Sequence, residues 1–289
     1  MVLHEYIIEY DKFDDYYFII PTGDWHLGAK KFDRQKWLNM VQKAAKNDRV
    51  HLLLMGDLGD CIVYSDKRFD SKVIESSYYN EEDLADLAGK QYREIRDALM
   101  PCKGRIIGII EGNHEKKMRK QYYRDLTLDL CRDLETTFLS SVCMIRLVFQ
   151  KKRKNPRQNR NEQIQESLKY IIFATHGSSG STTIGGKVNY VESLARSHEA
   201  DFYFVGHTHE KMIWNSRMKT GITKTGKLKR TEIRRIMALT GSFYKLYDDG
   251  ASDYAEDKLY EAIQTGAVGL KIYPAKERIE IYSDIIDML

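Results

Sequence analysis

Short, continuous apolar runs punctuate the chain, and each ends in a polar cluster. They are Tyr16-Tyr17-Phe18-Ile19-Ile20, Val50-His51-Leu52-Leu53-Leu54-Met55, Ile106-Ile107-Gly108-Ile109-Ile110, Tyr170-Ile171-Ile172-Phe173-Ala174 and Phe202-Tyr203-Phe204-Val205. Runs of this length without polar alternation predict strands buried on both faces. Helical periodicity predicts helices over 32–48, 81–99 and 118–135, with Leu84, Leu87, Ala88, Tyr92, Ile95 and Leu99 as the apolar face of the second. A further helix is expected from Asn189 to His198, and further strands at 142–150, 236–240, 268–273 and 278–283. Gly221 and Gly226 suggest a hairpin within 217–235. Region 62–80, rich in Tyr, Ser and Asp, reads as irregular and is expected to overhang whatever site follows Asp60. Strands alternating with helices predict an α/β protein, in which the carboxyl ends of the strands form one ligand-binding rim.

Bulk properties narrow the class. A chain of 289 residues can bury one large core. Its candidate motifs are spread over most of that length, so residues 1–289 read as a single catalytic domain. No apolar run approaches the roughly 20 residues that cross a bilayer, so no membrane role is expected. Met1 to Asp15 is acidic and lacks a signal-peptide pattern, and Cys61, Cys102, Cys131 and Cys143 show no paired spacing. Both features lead to the expectation of a reducing, cytoplasmic location.

The polar clusters that end the apolar runs carry the chemistry. In order they are Gly23-Asp24-Trp25-His26, Gly56-Asp57-Leu58-Gly59-Asp60, Gly112-Asn113-His114-Glu115, Thr175-His176-Gly177 and Gly206-His207-Thr208-His209. Five of the eight histidines lie in them; His4, His51 and His198 lie outside and read as ordinary structural or surface histidines, His51, inside an apolar run, as a satisfied core residue. In Asp24-x-His26 and His207-x-His209, alternate residues of an extended chain would point to one side. The set of Asp24, His26, Asp57, Asn113, His176, His207 and His209 has no thiolate and suits Mn, Fe, Zn or Mg. It is too large for one tetrahedral ion and fits two divalent ions that share a carboxylate. Any single Asp-x-His pair is weak evidence, since surface loops contain such pairs by chance; the ordered set is not.

This ordered set resembles the calcineurin-like metallophosphoesterase superfamily, over about residues 16–245. The resemblance implies a four-layer αββα sandwich, two mixed β-sheets flanked by helices. It also implies that Asp24, His26, Asp57 and His209 hold one metal and that Asp57, Asn113, His176 and His207 hold the other, with Asp57 bridging. Manganese is the first expectation for both ions, with Fe, Zn or Ni also suited. His114 would act as general acid. Asp60 stands three residues after Asp57, as in the family's protein-phosphatase branch, where the equivalent carboxylate bonds the general-acid histidine. Such a contact would orient His114 and keep it charged. Glu115 also matches that branch, but Cys61-Ile62 stands where its Arg-Gly would be, so the phosphate-gripping arginine does not carry over. The His-x-His pair is more similar to the bacterial, phage, archaeal and nuclease branches.

Substrate class rests on the loops. Residues 151–160 pack six positive charges into ten positions, and 217–235 is a second basic stretch that follows His207 and His209. Basic loops beside a phosphoesterase centre suit a polyanion, DNA or RNA, although each alone also reads as a solvated hairpin tip. The Gly/Ser/Thr segment 177–187 can cradle phosphate or merely connect, and Lys187 is its candidate substrate contact. The leading expectation is a phosphodiesterase acting on nucleic acid or nucleotide. A phosphomonoesterase or Ser/Thr protein phosphatase is the alternative, and a non-catalytic scaffold of the same fold a third. Intact candidate ligands argue against the scaffold.

Overall fold

A computed structural model describes residues 1–61, 86–152, 167–178, 180–215, 218–232, 235–246 and 263–289. In chain order, the first half contains β1 (Val2–Tyr10), β2 (Tyr17–Thr22), α1 (Arg34–Lys46), β3 (Val50–Leu54), α2 (Leu87–Leu99), β4 (Ile106–Ile109), α3 (Asn113–Tyr122) and α4 (Leu126–Asp133). The second half contains β5 (Val142–Lys151), β6 (Ser167–Thr175), α5 (Ile184–Ser197), β7 (Phe202–Val205), β8 (Lys211–Trp214), β9 (Met218–Ile222), β10 (Leu228–Glu232), β11 (Ile236–Thr240), β12 (Gly269–Tyr273) and β13 (Arg278–Tyr282). The expected region 62–80, the start of the expected helix 81–99, most of the basic stretch 151–160 and parts of 217–235 lie outside the described residues.

Two large mixed sheets form the body. One runs β13-β12-β2-β3-β4 and the other β1-β5-β6-β7-β11-β8. Within the first, β2, β3 and β4 are parallel. In the second, β6, β7 and β11 are parallel. Their inner faces meet in one apolar layer that includes Ile19, Leu53, Ile107, Ile145, Phe149, Ile172, Phe204 and Leu270. Strand periodicity sends the alternate residues outward. On the five-stranded sheet Phe18, Ile20, Leu52, Leu54 and Ile109 pack under Trp37 and Met40 of α1, Leu99 of α2 and Leu130 of α4. On the six-stranded sheet Phe173, Tyr203, Val205 and Leu239 pack under Val191 and Ala195 of α5. Helices, sheet, sheet and helix make the four layers expected from the sequence.

Several boundaries differ from expectation for local reasons. The single helix expected over 118–135 is two helices. Tyr123 takes the left-handed conformation, φ +54°, and ends α3. Asp125 then caps α4 by accepting a hydrogen bond from the Leu128 amide. Helix α3 also begins earlier, at Asn113, so two site residues occupy its first turn. Helix α5 starts at Ile184 rather than Asn189 because the Thr183 side chain accepts from the Gly186 amide. Strand β1 was not expected from its charges. It alternates exposed and inward residues and pairs in parallel with β5. All four cysteines are free and buried, and no helix among the described residues is long and apolar enough to cross a membrane.

His51 is a buried core histidine, as expected. Its Nδ1 lies 2.9 Å from the Tyr6 hydroxyl. Burial, with the Arg105 charge, depresses its pKa to about 3. The unfolded chain therefore binds this proton near pH 6.5 while the folded one does not until far lower. Stability should fall with acid from about pH 6.5 towards pH 3, by at most roughly 1.4 kcal/mol per pH unit from this group. Urea titrations of His51→Asn and the parent across that range should show a shallower acid slope in the variant. Identical slopes would remove His51 as the cause.

Candidate metal centre

Every polar cluster sits where a parallel strand ends, and both sheets contribute. Asp24 and His26 follow β2, Asp57 and Asp60 follow β3, and Asn113 and His114 follow β4. His176 follows β6, and His207 and His209 follow β7. The seven candidate ligands converge in two groups. Asp24, His26 and His209 place one ligand atom each within 4.8 Å of one another, and so do Asp57, His176 and His207. Asn113 joins the second group, its Oδ1 lying 3.0 Å from His176 Nε2. Asp57 Oδ2 is 3.2 Å from the same nitrogen.

The backbone that delivers them is not extended, contrary to the alternation argument. Asp24, His26, Asp57, His207 and His209 all lie in the left-handed region, with φ of +49°, +51°, +51°, +66° and +58°. Non-glycine residues rarely adopt it, and clusters of them mark sites where surrounding structure holds the chain against local preference. Here the hold is visible. Trp25 and His26 amides donate to the Asp57 carbonyl at 2.9 and 3.1 Å, and the Asp24 amide donates to Gly56 O at 2.8 Å. The His207 amide donates to Asp24 Oδ2 at 2.8 Å. Buried Glu115 accepts from the amides of Asp57 and Leu58 at 3.0 and 2.7 Å. Ser242 Oγ donates to the Asp24 carbonyl at 2.6 Å. Glu115 thus clamps the Asp57 turn, a role its place in the sequence did not reveal. Ser242 and Tyr244 were missed altogether; the Tyr244 ring lies 5.4 Å from that of His26 and 5.9 Å from that of His209. Their signal was the rim position after the expected strand 236–240.

Glycines permit the crowding. Gly56 has φ +89°, and a Cβ on it would stand 2.5 Å from the Gly112 nitrogen. A Cβ on Gly112 would run into the amide and carboxylate of Asp57. Gly56→Ala is expected to destabilise the fold by roughly 2 kcal/mol or more and to weaken metal uptake. Thermal melts with a chelator, then with added Mn, would check both. An unchanged chelated melt would show that the turn relaxes freely.

Electrostatics fit a cation pair. Asp24 Oδ1 is buried with no hydrogen-bond partner among the described residues, a costly state for a carboxylate oxygen unless a cation meets it. Burial pushes the Asp24 pKa up to about 7, with the Asp57 charge adding to the rise. Burial likewise holds His209 well below the usual imidazole range, helped by His26. His207 is lowered by burial and by His176. These two rings therefore offer lone pairs. Burial opposes charge on both Asp57 and His176, yet their mutual attraction prevails. It holds Asp57 well below the usual carboxylate range and raises His176 to about 10. His176 Nδ1 lies 2.8 Å from the Met55 carbonyl, to which it donates, so Nε2 faces Asp57 and Asn113. Oxygen and imidazole donors, an unpartnered buried carboxylate oxygen and an outer hydrogen bond that fixes a ring suit divalent ions of the Mn, Fe or Zn kind.

His114 lies on the first turn of α3 with its ring 4.8 Å from that of His26. Its Nδ1 bonds the Asp60 backbone carbonyl. The expected carboxylate contact is looser: Asp60 Oδ1 is 3.7 Å from His114 Nδ1 and 3.4 Å from His26 Nδ1. The tight turn after Asp57 presents the Asp60 main chain to His114 and leaves its carboxylate between two imidazoles. Lys187, the expected substrate contact, pairs with Glu210 at 3.0 Å and is largely covered. That pair ties α5 to the residue after His209.

The sequence matches the model of the calcineurin-like phosphoesterase family over residues 19–211. No curated protein matches it. Among solved structures, Vps29 complexed with zinc from Entamoeba histolytica is 12% identical and aligns over 92% of this chain and 97% of its own, with a TM-score of 0.37. A metallophosphoesterase from Sphaerobacter thermophilus is 12% identical over 92% of this chain and 87% of its own, with a TM-score of 0.35. The NAD nucleotidase of Haemophilus influenzae is 11% identical over 93% of this chain and 49% of its own, with a TM-score of 0.37. With the family match spanning most of the chain, the protein belongs to the calcineurin-like phosphoesterase family.

Proposed function

We propose that this protein is a dinuclear-metal phosphodiesterase whose substrate is a nucleic acid or nucleotide. The observation that carries the reading is the pair of ligand groups, Asp24/His26/His209 and Asp57/His176/His207, with His114 against His26. When bound, two divalent ions at these groups would supply a polarised water and offset charge on the phosphate oxygens. Asp57, between His176 and the His114 amide, is the ligand both positions share in this reading. The Asp60 carbonyl accepts a hydrogen bond from Nδ1–H of His114, so in the imidazolium form Nε2–H is the proton given to the leaving oxygen, leaving the neutral Nδ1–H ring. Lys187 acts at one remove, steadying the His209 segment through Glu210. The basic stretches 151–160 and 217–235 and the His-x-His pair support a polyanionic diester.

Asp60 and Glu115 favour a second reading, a phosphomonoesterase, because both match the protein-phosphatase branch. Hydrolysis of bis-p-nitrophenyl phosphate against p-nitrophenyl phosphate separates the two. Diester preference with added Mn, abolished by chelator, is the expected result. Monoester preference would move the assignment to a phosphatase, and no turnover of either would reject both.

A further inference from the structure

Helix α3 carries a ridge of cations that starts at the metal centre. Asn113, in its first turn, is the exposed member of the candidate ligand set, so the centre opens on this side. Helical spacing puts Lys116, Lys117 and Lys120 on the face of Asn113, three, four and seven residues further on. His114, Glu115 and Met118 on the other side of the helix are buried. Lys120 is exposed, and Lys116 and Lys117 are half-buried. Arg119 stands off the ridge and is held by Glu111 at 2.6 and 2.9 Å. The helix has one carboxylate, Glu115, and it is turned inward to the amides of Asp57 and Leu58. The ridge is therefore of one sign.

Tyr123 ends it. This residue is 94% exposed and sits at φ +54°. Glycine or asparagine is the usual occupant of a left-handed helix terminus. A bulky side chain there costs conformational energy, and one so exposed returns little packing. Strain of this kind marks a residue kept for something other than the fold. We propose that the ridge is a track for a single strand of nucleic acid. Lys116, Lys117 and Lys120 hold phosphates next to the one in the centre, and Tyr123 stacks an unpaired base. The proposal deepens the phosphodiesterase reading and rests on it. Helix rise sets Lys120 about 10 Å and Tyr123 about 15 Å along the axis from Asn113, a span of a few nucleotides. A strand with one phosphate in the centre would so meet the lysines with the next. Lysines that track a backbone beside an exposed aromatic ring are the means by which single strands are held. In a duplex the base faces are covered by their neighbours, so the ring would have nothing to stack on. An anionic bilayer would require an apolar face, and the ridge has no aliphatic residue.

The test uses the full chain with chelator present, so that no cleavage occurs. Anisotropy of a labelled single strand, and of the duplex of the same sequence, is read at several salt concentrations. Lys116→Gln/Lys117→Gln/Lys120→Gln should weaken strand binding about tenfold or more and lower the log–log salt slope by roughly 2. Lys46→Gln/Lys103→Gln/Lys169→Gln makes the same charge change at exposed positions by the opposite ends of the strands, and it should bind as the wild type does. Tyr123→Asn suits the left-handed backbone but has no ring. It should lose about fivefold or more in strand affinity with the salt slope and duplex binding unchanged, and Tyr123→Phe should bind as the wild type does. Near-ultraviolet circular dichroism confirms that each variant is folded. Strand affinity unchanged in the ridge variant, or lowered equally by the distant one, overturns the proposal. So does a Tyr123→Asn loss that is equal for strand and duplex. Ridge-dependent binding to phosphatidylserine vesicles without strand binding overturns it in favour of a membrane partner. Turnover of bis-p-nitrophenyl phosphate by the wild-type preparation with added Mn tells the two readings apart. Turnover without ridge-dependent strand binding sinks the track alone, whereas ridge-dependent binding without turnover sinks the phosphodiesterase.

Discussion

Asp57→Asn is expected to weaken both metal positions together, each by more than about 100-fold, and to abolish detectable hydrolysis. Losing an outer partner of a metal ligand typically costs 10–100-fold in affinity, so losing the charge of a shared ligand should cost more. The geometry makes the substitution informative because it separates two roles of one side chain. Oδ1 accepts the His114 amide at 2.9 Å, and an asparagine oxygen can keep that bond. Oδ2 stands 3.2 Å from His176 Nε2, where an amide nitrogen would bring neither charge nor a lone pair. The fold should therefore survive while the centre fails. Asp24→Asn is the contrast: among the described residues Asp24 groups with His26 and His209, so one position should weaken far more than the other. Calorimetric titration with Mn gives both stoichiometry and affinity. Asp57→Asn retaining one tight site would sink the bridging role.

Much of this site was legible because glycine-led polar clusters after apolar runs survive as linear patterns. Strand ends carry the candidate ligands, and parallel pairing of β2 with β3 and of β6 with β7 fixes which ends meet. What escaped has a common cause. Left-handed backbone at Asp24, His26, Asp57, His207 and His209 leaves no compositional trace in those residue types. It is imposed by hydrogen bonds from chain segments distant in sequence, such as Ser242 to the Asp24 carbonyl. The Asp60 contact was legible only in part, for a related reason: its carboxylate does lie beside His114, at 3.7 Å, but the closer contact is the main-chain carbonyl. Spacing placed Asp60 beside His114, but whether the side chain or the carbonyl faces the ring depends on the turn, where Cys61 is also left-handed at φ +50°. Strand β1 was hidden because its outward residues include Glu5 and Glu9, which read as a charged tail. Its inward residues, among them Ile8 and Tyr10, close the apolar layer between the sheets.

His114→Ala should keep both metals within a few-fold of the parent affinity and lose roughly 10²–10⁴-fold in turnover, the usual range for a positioned general acid. The size of the loss should depend on the leaving group, and that dependence separates catalysis from mere support. A p-nitrophenolate departs readily without a proton, so bis-p-nitrophenyl phosphate should lose least. A dinucleotide leaves as an alkoxide that needs one, so its hydrolysis should lose most. His114 shares its helix turn with Asn113, a candidate ligand, and its amide bonds Asp57, so a structural effect is the competing explanation. Alanine keeps that amide and its bond, which limits the disturbance to the ring. Equal losses on both substrates, or loss of metal in proportion to turnover, would assign His114 a supporting role. Full activity on the dinucleotide would reject it as the proton donor and point to solvent water instead.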